Sequence, residues 1–293
     1  MNDKLYFYTF CVDIGKYTQS ELIKCLSILH FSLKKIKTDY RLIVFTNFKI
    51  EAHFENSEVR TYYDNQTVKI YPDQWRNLSF NKINIYKDLR NELDVDPVWV
   101  DLDTFIADDI SYIKNVTNCF VEIGGNCDTP NLLFSNNKEI TVPRKRYIQG
   151  NFWKLNIDLY HQLLDSLQDI LKRNLIPRYD LQDLFAYHFY IKDMIETSDI
   201  NILGLNFKEH TINGLAVWAE AGNTHATGEG LVNLHRKNNF LESTYYPGKR
   251  IHILSFTFDS LKRIWDSSEF NEIILGTDLV GRHHRPEKSA SCS

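Results

Sequence analysis

The chain has 293 residues, 43% of them hydrophobic and 13% aromatic, which is enough to bury the core of one large domain. A net charge of -4, without a long basic run, argues against nucleic acid as the main partner. No apolar stretch reaches the roughly 20 residues that span a bilayer, and the N-terminal residues lack the layout of a signal peptide. We therefore expect a soluble, cytoplasmic protein without a transmembrane segment, and peripheral attachment to a membrane stays open. The five cysteines form no CxxC pair, which predicts free thiols.

The first hundred residues alternate between strand-like and helix-like patterns. Apolar runs typical of buried strands cover residues 5–13, 40–47, 58–64 and 97–101, and helical spacing covers 20–36 and 80–93. Ser20 is the expected N-cap of the first helix. Alternation of buried strands with helices predicts an α/β protein with a mostly parallel sheet that is covered by helices on both faces.

The pattern is looser after residue 110. Strands are predicted over 119–125, 147–156 and 250–258, and helices over 157–175, 180–192 and 259–265. Residues 126–146 have the composition of a loop, and short strands and turns follow residue 201. The polar tail 281–293 has no apolar periodicity and is predicted to be disordered.

Two carboxylates, Asp101 and Asp103, directly follow the apolar run Val98–Val100. Charges at the edge of a core cost desolvation energy unless a metal ion, a basic side chain or solvent meets them. Alternate residues of an extended chain project to the same side, so both carboxylates can reach one cation. Oxygen ligands suit Mg²⁺ or Mn²⁺, and ligands of parallel sheets bind at the carboxyl ends of the strands. A solvated turn is the alternative interpretation of such a pair.

The pair lies in a longer pattern, WRNLSFNKINIYKDL (75–89) followed by VWVDLDTFIADDISYI (98–113). This pattern resembles the central block of GT-A glycosyltransferases with a DLD form of the DxD motif. Among them are bacterial and viral sugar transferases and the lipopolysaccharide galactosyltransferase and glycogenin group. The resemblance implies a Rossmann-like GT-A fold in one domain over residues 1–270, with a donor half (1–115) and an acceptor half (116–270).

Three later segments are similar to family blocks in the same order. They are YIQGNFWKLN (147–156), YDLQDLF (179–185) and RIHILSFTFDSLKR (250–263). The last segment departs from the family pattern H-x-x-G-x-x-K-P-W, because Phe256 stands near the place of the glycine and no Pro-Trp follows Lys262.

The resemblance implies a metal site. Asp103 would bind Mn²⁺ or Mg²⁺ directly, and Asp101 would bind the metal, a metal-bound water or the ribose of the donor. His252 would be a third ligand, since a neutral imidazole completes a set of oxygen and nitrogen ligands. His235 is the competing histidine.

Roles for the donor and the catalytic group follow from the same resemblance. The nucleotide of the donor would contact Thr9, Cys11, Val12 and Tyr17, and its diphosphate would contact Arg76, Lys82 and Lys262. Asp183 would deprotonate the acceptor hydroxyl or stabilise the oxocarbenium-like centre, while a charge that complements the helix dipole is its alternative role. The acceptor would contact Asp128, Gln149, Gly150 and Trp218, since surface loops and aromatic faces commonly recognise sugars.

The resemblance therefore predicts a metal-dependent hexosyl- or pentosyltransferase. It would move a sugar from a nucleoside diphosphate sugar, with a UDP-sugar favoured, to a hydroxyl of a glycan or glycolipid. One alternative is a sugar-1-phosphate nucleotidyltransferase, which is disfavoured because no Gly-rich, basic phosphate loop follows the first strand. The other is a non-catalytic carbohydrate-binding protein with a degenerate site.

Overall fold

A computed structural model describes residues 4–64, 74–122, 131–134, 141–142, 148–178, 180–191, 201–203, 216–219, 234–237, 240–243, 246–268 and 270–276. The strands in these ranges are β1 (Leu5–Cys11), β2 (Tyr40–Thr46), β3 (Ser57–Thr61), β4 (Val98–Val100), β5 (Thr104–Ile106), β6 (Cys119–Glu122), β7 (Asn131–Leu132), β8 (Thr141–Val142), β9 (Ile148–Lys154), β10 (Asn201–Leu203), β11 (Ala216–Ala219), β12 (Leu234–Lys237), β13 (Phe240–Ser243) and β14 (Tyr246–Ser255). The α-helices are α1 (Gln19–Leu33), α2 (Gln74–Leu93), α3 (Ile157–Lys172), α4 (Asp180–Ala186) and α5 (Phe258–Ile264). The predicted tail 281–293 lies outside the described residues.

The main sheet of the described chain has seven strands in the order β10-β6-β9-β4-β1-β2-β3. Six of these strands run parallel, and β9 alone among them is antiparallel to both of its neighbours. The prediction of an α/β fold with a mostly parallel sheet is therefore confirmed.

Both faces of this sheet are buried, because successive side chains of β1 enter different apolar clusters. Leu5, Phe7 and Cys11 pack on the face that α1 covers. Tyr8 and Phe10 pack on the opposite face, in a cluster to which α2, α3 and α4 also contribute. The helices thus cover both faces of the sheet, as the alternation of elements predicts.

A second sheet connects the last third of the chain to the segment after β4. Its strands have the order β11-β14-β13-β12, and β5 pairs antiparallel with β14, with Thr104 opposite Ser255. This register holds the end of β14 beside Asp103, whose carbonyl oxygen accepts a hydrogen bond from the backbone N–H of Phe256 at 3.1 Å. The strands β4 and β5 belong to the proposed donor half, and β9 and β14, which pair with them, belong to the proposed acceptor half. Both halves therefore contribute strands to both sheets.

The strand order of the main sheet reverses between β1 and β4. From β1 the chain continues outward to β2 and β3, and it then returns to β4 on the other side of β1. In open α/β sheets, ligands bind outside the carboxyl ends of the strands at such a reversal point. The fold therefore directs the segments that follow β1 and β4 towards one crevice.

Helix α1 begins earlier than the sequence predicts, and Ser20 is not its N-cap. The N-cap is Thr18, whose hydroxyl accepts a hydrogen bond from the backbone N–H of Glu21 at 3.3 Å. The Glu21 carboxylate accepts one from the backbone N–H of Thr18 at 2.9 Å, which completes a capping box. A capping box needs Glu or Gln three residues after the cap, and a cap at Ser20 would have Ile23 there.

Thr18→Ala is expected to lower the free energy of unfolding by about 1 kcal/mol, because it removes the hydroxyl that accepts from Glu21. Ser20→Ala should change that free energy by only a few tenths of a kcal/mol, since alanine has the higher helix propensity and Ser20 is not the cap. Urea unfolding of both variants measures the difference. Equal losses in the two variants would contradict the assignment of the cap.

No helix in the described part of the chain is both long and apolar enough to cross a membrane. Three of the cysteines, Cys11, Cys25 and Cys119, are buried thiols that form no disulfide. The other two, Cys127 and Cys292, lie outside the described residues.

Candidate functional site

A cavity of about 520 Å³ lies at the reversal point between β1 and β4. Its floor is the segment Asp101–Asp103 that follows β4. Because β4 lies between β9 and β1 in the sheet, β9 lines one side of this floor and the segment after β1 lines the other. The helix α4 packs on β9, α5 packs through Phe258 on Tyr17 after β1, and α2 contributes a third side. The polar and charged side chains along it are Lys16, Tyr17, Ser79, Lys82, Asp101, Asp103, Asn151, Asp180, Gln182, Ser255, Thr257, Asp259, Ser260 and Arg263.

The charge of Asp101 is met by a basic side chain. Its Oδ1 accepts a hydrogen bond from Lys82 Nζ at 2.7 Å and another from Trp99 Nε1 at 3.0 Å. The Lys82 ammonium also lies 4.5 Å from the centre of the Trp99 ring. Because the two charged side chains are only 13% and 27% exposed, this ion pair is shielded more than a surface pair.

The environment of Asp103 disfavours the charged form of its carboxyl group. Burial, and then the negative charge of Asp101, raises the pKa of the Asp103 carboxyl to about 8, although the charges of Lys82 and Lys16 oppose this shift. A cation beside such a carboxyl group would stabilise its charged form. Within the described ranges, no three His, Cys, Asp or Glu side chains are grouped closely enough to hold a metal ion by themselves.

Neither predicted histidine ligand lies at the cavity. His252 lies beside β5, where its Nδ1 is 3.2 Å from the carbonyl oxygen of Asp109 and its Nε2 is 4.0 Å from Asp108 Oδ2. The antiparallel register causes this position, because Ser255, three residues or about 10 Å further along β14, is the residue opposite Thr104. His235 lies on β12, 3.6 Å from the Glu242 carboxylate. The structure thus does not bring either histidine to the two aspartates.

The predicted nucleotide contacts divide into two groups. Val12 and Tyr17 line the cavity, whereas Thr9 and Cys11 are buried within β1 and do not. Burial raises the pKa of the Cys11 thiol to about 12. The Tyr17 ring is stacked on Phe258, with ring centres 3.8 Å apart, and the Lys16 ammonium lies 4.9 Å from the centre of the Tyr17 ring.

The predicted diphosphate contacts are separated as well. Lys82 lines the cavity, but Lys262 forms an ion pair with Glu21 away from it, and this pair lowers the pKa of Glu21 to about 2. The cation of α5 that does line the cavity is Arg263. Arg76 is part of α2, and its side chain lies outside what the structure describes.

On α4, Asp180 lines the cavity and Asp183 does not. The Asp183 side chain is fully buried, and its Oδ2 accepts a hydrogen bond from the backbone N–H of Arg178. Asp180 adopts a φ of 52°, in the left-handed region that only a few per cent of non-glycine residues adopt. The catalytic role of Asp183 stays a prediction, and its position favours a structural one.

Of the predicted acceptor contacts, Gly150 lines the cavity. A Cβ atom on Gly150 would lie 3.3 Å from Gln182 Cγ, so the glycine allows β9 to pack closely against α4. Gln149 and Trp218 belong to β9 and β11, but their side chains lie outside what the structure describes. Asp128 also lies outside it.

The polar cavity residues that sequence reasoning missed include Lys16, Asn151, Asp180, Asp259 and Arg263. Lys16 has a signal of its own, since it follows the first strand and Gly15, where a phosphate-binding segment is common. Asn151, Asp180 and Arg263 lie within the three later motifs. The sequence suggested functional roles for nearby residues of those motifs instead, namely Gly150, Asp183 and Lys262.

The fold and the cavity define a mixed α/β protein with a cavity, lined by both acidic and basic side chains, at the reversal point of a mostly parallel sheet. No protein-family model matches the chain, and no match is found among curated proteins. The function is therefore inferred from the geometry of the cavity.

Proposed function

We propose that the chain is a metal-dependent glycosyltransferase that moves a sugar from a nucleoside diphosphate sugar to a hydroxyl of a glycan or glycolipid. A UDP-sugar is the favoured donor. One observation supports this most directly: Asp101 and Asp103 end a buried strand at the floor of a 520 Å³ cavity, where the strand order reverses. That volume lies in the range of pockets that enclose a small organic ligand.

The basic side chains of the cavity suit a diphosphate. Lys16, Lys82 and Arg263 reach it from three different segments of the chain, namely the turn after β1, α2 and α5. Positive groups that surround a diphosphate stabilise the charge that it gains as it leaves. Apolar side chains of β1 and the turn after it, including Phe10, Val12 and Ile14, offer a surface for the nucleoside.

The carboxylates suit a divalent cation. Mg²⁺ is commonly held by one or two carboxylates together with substrate phosphates and water, so Asp101 and Asp103 do not need a third protein ligand. Asp103 would hold the ion directly, which fits a carboxyl whose pKa is raised by burial and by the charge of Asp101. The bound ion would supply Lewis-acid stabilisation of the leaving diphosphate.

Asp180 would contribute to the transfer step in place of Asp183. Its side chain lines the cavity from α4, and it is only 7% exposed. A carboxylate in this position can accept the proton of an acceptor hydroxyl as the hydroxyl attacks the sugar. The apolar side chains of Leu181 and Trp99 border the same region and limit the access of water.

The proposal is tested by thermal unfolding with UDP-, GDP- and dTDP-sugars, each with and without Mn²⁺. A ligand that binds only the folded state raises the midpoint of unfolding, so we expect a rise with at least one sugar nucleotide that depends on Mn²⁺. Transfer or slow hydrolysis of that donor should also require the ion. If none of the sugar nucleotides raises the midpoint at millimolar concentration, the proposal is wrong.

A second candidate, a carbohydrate-binding protein without turnover, is favoured by the Lys82–Asp101 ion pair. This pair satisfies Asp101 without a metal ion, as a degenerate site would. The same experiment separates the candidates, because such a protein would bind its ligand equally well in EDTA and would not consume the donor.

Substitution of two adjacent residues tests which cation of α5 contacts the donor. Arg263→Met is expected to weaken UDP binding about tenfold, since Arg263 lines the cavity. Lys262→Met, the matched control, should leave UDP binding unchanged because Lys262 pairs with Glu21 instead. Isothermal titration calorimetry measures both affinities. A larger loss in the Lys262 variant would support the assignment that the family resemblance implies.

A further inference from the structure

One polar side chain of the cavity has no partner within the described residues. Asn151 is only 4% exposed and lines the cavity from β9. Neither its Oδ1 nor its Nδ2 forms a hydrogen bond with any described group. A buried amide in this state loses its bonds to water without replacement, which destabilises the folded protein. A ligand that forms hydrogen bonds with this amide would remove that cost.

The register of the sheet places this amide beside the carboxylate floor. Val100 pairs with Phe152 across β4 and β9, so the next opposed residues are Asp101 and Asn151. The backbone N–H of Asp101 donates to the carbonyl oxygen of Asn151 at 2.7 Å. Directly opposed residues of antiparallel strands have side chains on the same face, about 5 Å apart at Cβ. The amide therefore lies next to the Asp101 carboxylate.

The groups around Asn151 suit hydroxyls better than phosphate. The Asp101 carboxylate is already paired with the Lys82 ammonium, Asp180 carries a second carboxylate, which accepts hydrogen bonds, and the amide of Asn151 both donates and accepts. Lys16, in contrast, comes from the turn after β1, on the other side of β4, and Arg263 comes from α5, which packs on that turn through Phe258 and Tyr17. A diphosphate is best placed along that basic wall. Hydroxyl groups, which donate and accept, fit the wall formed by β9 and α4.

We propose that Asn151 forms a subsite for the hydroxyl groups of the sugar that the donor carries. This inference rests on the proposed function, because it assumes a nucleotide sugar that extends from the basic wall across Asp101 and Asp103. Gly150 supports the subsite, since the missing side chain lets β9 and α4 form one continuous wall. Asn151 is then the residue that determines which sugar is accepted.

The first test is the stability of the protein without ligand. Leucine has nearly the shape of asparagine and no unpaired polar atoms, so Asn151→Leu should raise the midpoint of thermal unfolding by about 2 °C or more. Asn118→Leu is the matched control. Asn118 is equally buried, but its Oδ1 accepts a hydrogen bond from the backbone N–H of Asn156 at 2.7 Å, so this variant should unfold at a lower temperature. A lowered midpoint for Asn151→Leu would overturn the inference.

The second test compares UDP with UDP-glucose and UDP-galactose, in Mn²⁺, by titration calorimetry. Asn151→Leu should bind UDP with the affinity of the wild type and should lose at least tenfold in affinity for the sugar nucleotide that the wild type prefers. Unchanged affinity for that sugar nucleotide would overturn the inference but leave the proposed function intact. An equal loss for UDP would also overturn it, since Asn151 would then contact the nucleotide.

If the wild type binds neither UDP nor a UDP-sugar, the donor proposed above is wrong, and the subsite is then judged with free glucose and galactose. Saturation-transfer NMR should show contact with one of them in the wild type and not in Asn151→Leu. An absence of contact in the wild type, or equal contact in both proteins, would overturn the subsite as well.

Discussion

Asp103→Asn is expected to reduce transfer of the sugar about a hundredfold or more. The substitution removes the carboxylate that would hold the metal ion, and a Lewis acid at a leaving diphosphate contributes several kcal/mol of transition-state stabilisation. Donor consumption at saturating Mn²⁺ measures the effect. Asp94→Asn is the control, because Asp94 is a surface residue whose side chain is 98% exposed. Turnover equal to that of the wild type would contradict the metal site.

The same variant should be more stable than the wild type in EDTA at alkaline pH. The pKa of Asp103 in the folded protein is about 8, above that of an ordinary Asp, so the folded state binds this proton more tightly than the unfolded state. Stability from this group therefore falls as pH rises from about 4 towards 8, and asparagine cannot lose such a proton. Urea unfolding at pH 5 and pH 9 should show that the advantage of Asp103→Asn grows with pH. A constant difference would contradict the raised pKa.

Lys82→Met is expected to lower the free energy of unfolding by about 2 kcal/mol. It leaves Asp101 half-buried without its 2.7 Å ion pair, and this cost lies between those for exposed and fully buried pairs. Lys87→Met on the same helix is the control, because Lys87 is exposed and should change stability little. Urea unfolding without metal measures both.

The double variant Lys82→Met/Asp101→Asn identifies the cause of that loss. Removal of both charges leaves no unpaired carboxylate, so the double variant should be more stable than Lys82→Met alone. If the double variant is as unstable as the sum of the two single variants, the ion pair does not stabilise the fold, and packing of the Lys82 chain on Trp99 explains the loss instead.

Features that depend on short segments followed from the sequence. Apolar runs identified β1, β2 and β4, and helical spacing identified α1, because burial on a sheet or on one helix face imposes a local period on the residues. The position of Asp101 and Asp103 at the end of a buried strand was likewise visible, since a strand and its end are adjacent in sequence. Other local predictions were wrong: the N-cap of α1 was misplaced by two residues, and α2 begins at Gln74, six residues before the predicted start. The short strand β5 was not predicted, and β7 and β8 lie in the stretch 126–146 that was predicted as a loop.

Contacts between distant segments did not follow from the sequence. The register of β5 on β14 decided that His252 lies beside Ala107, and that Ser255 and Phe256 lie near Asp103 instead. No local pattern reports such a register, because it depends on the packing of two strands separated by more than 140 residues. The sequence suggested that a basic side chain could meet Asp101, but only the fold showed that this side chain is Lys82, at 2.7 Å.

Neighbouring residues on helices show the same limit. Lys262 and Arg263 differ by one position, which is a rotation of about 100° around the helix, and only the second lines the cavity. Likewise, Asp180 lines the cavity, whereas Asp183, the residue that the motif suggested, does not. By itself the sequence determined the α/β class, most of the elements and the two aspartates at the strand end, because each has a local physical cause. The tertiary structure alone decided which side chains meet those aspartates, since that depends on strand register and on the rotation of each packed helix.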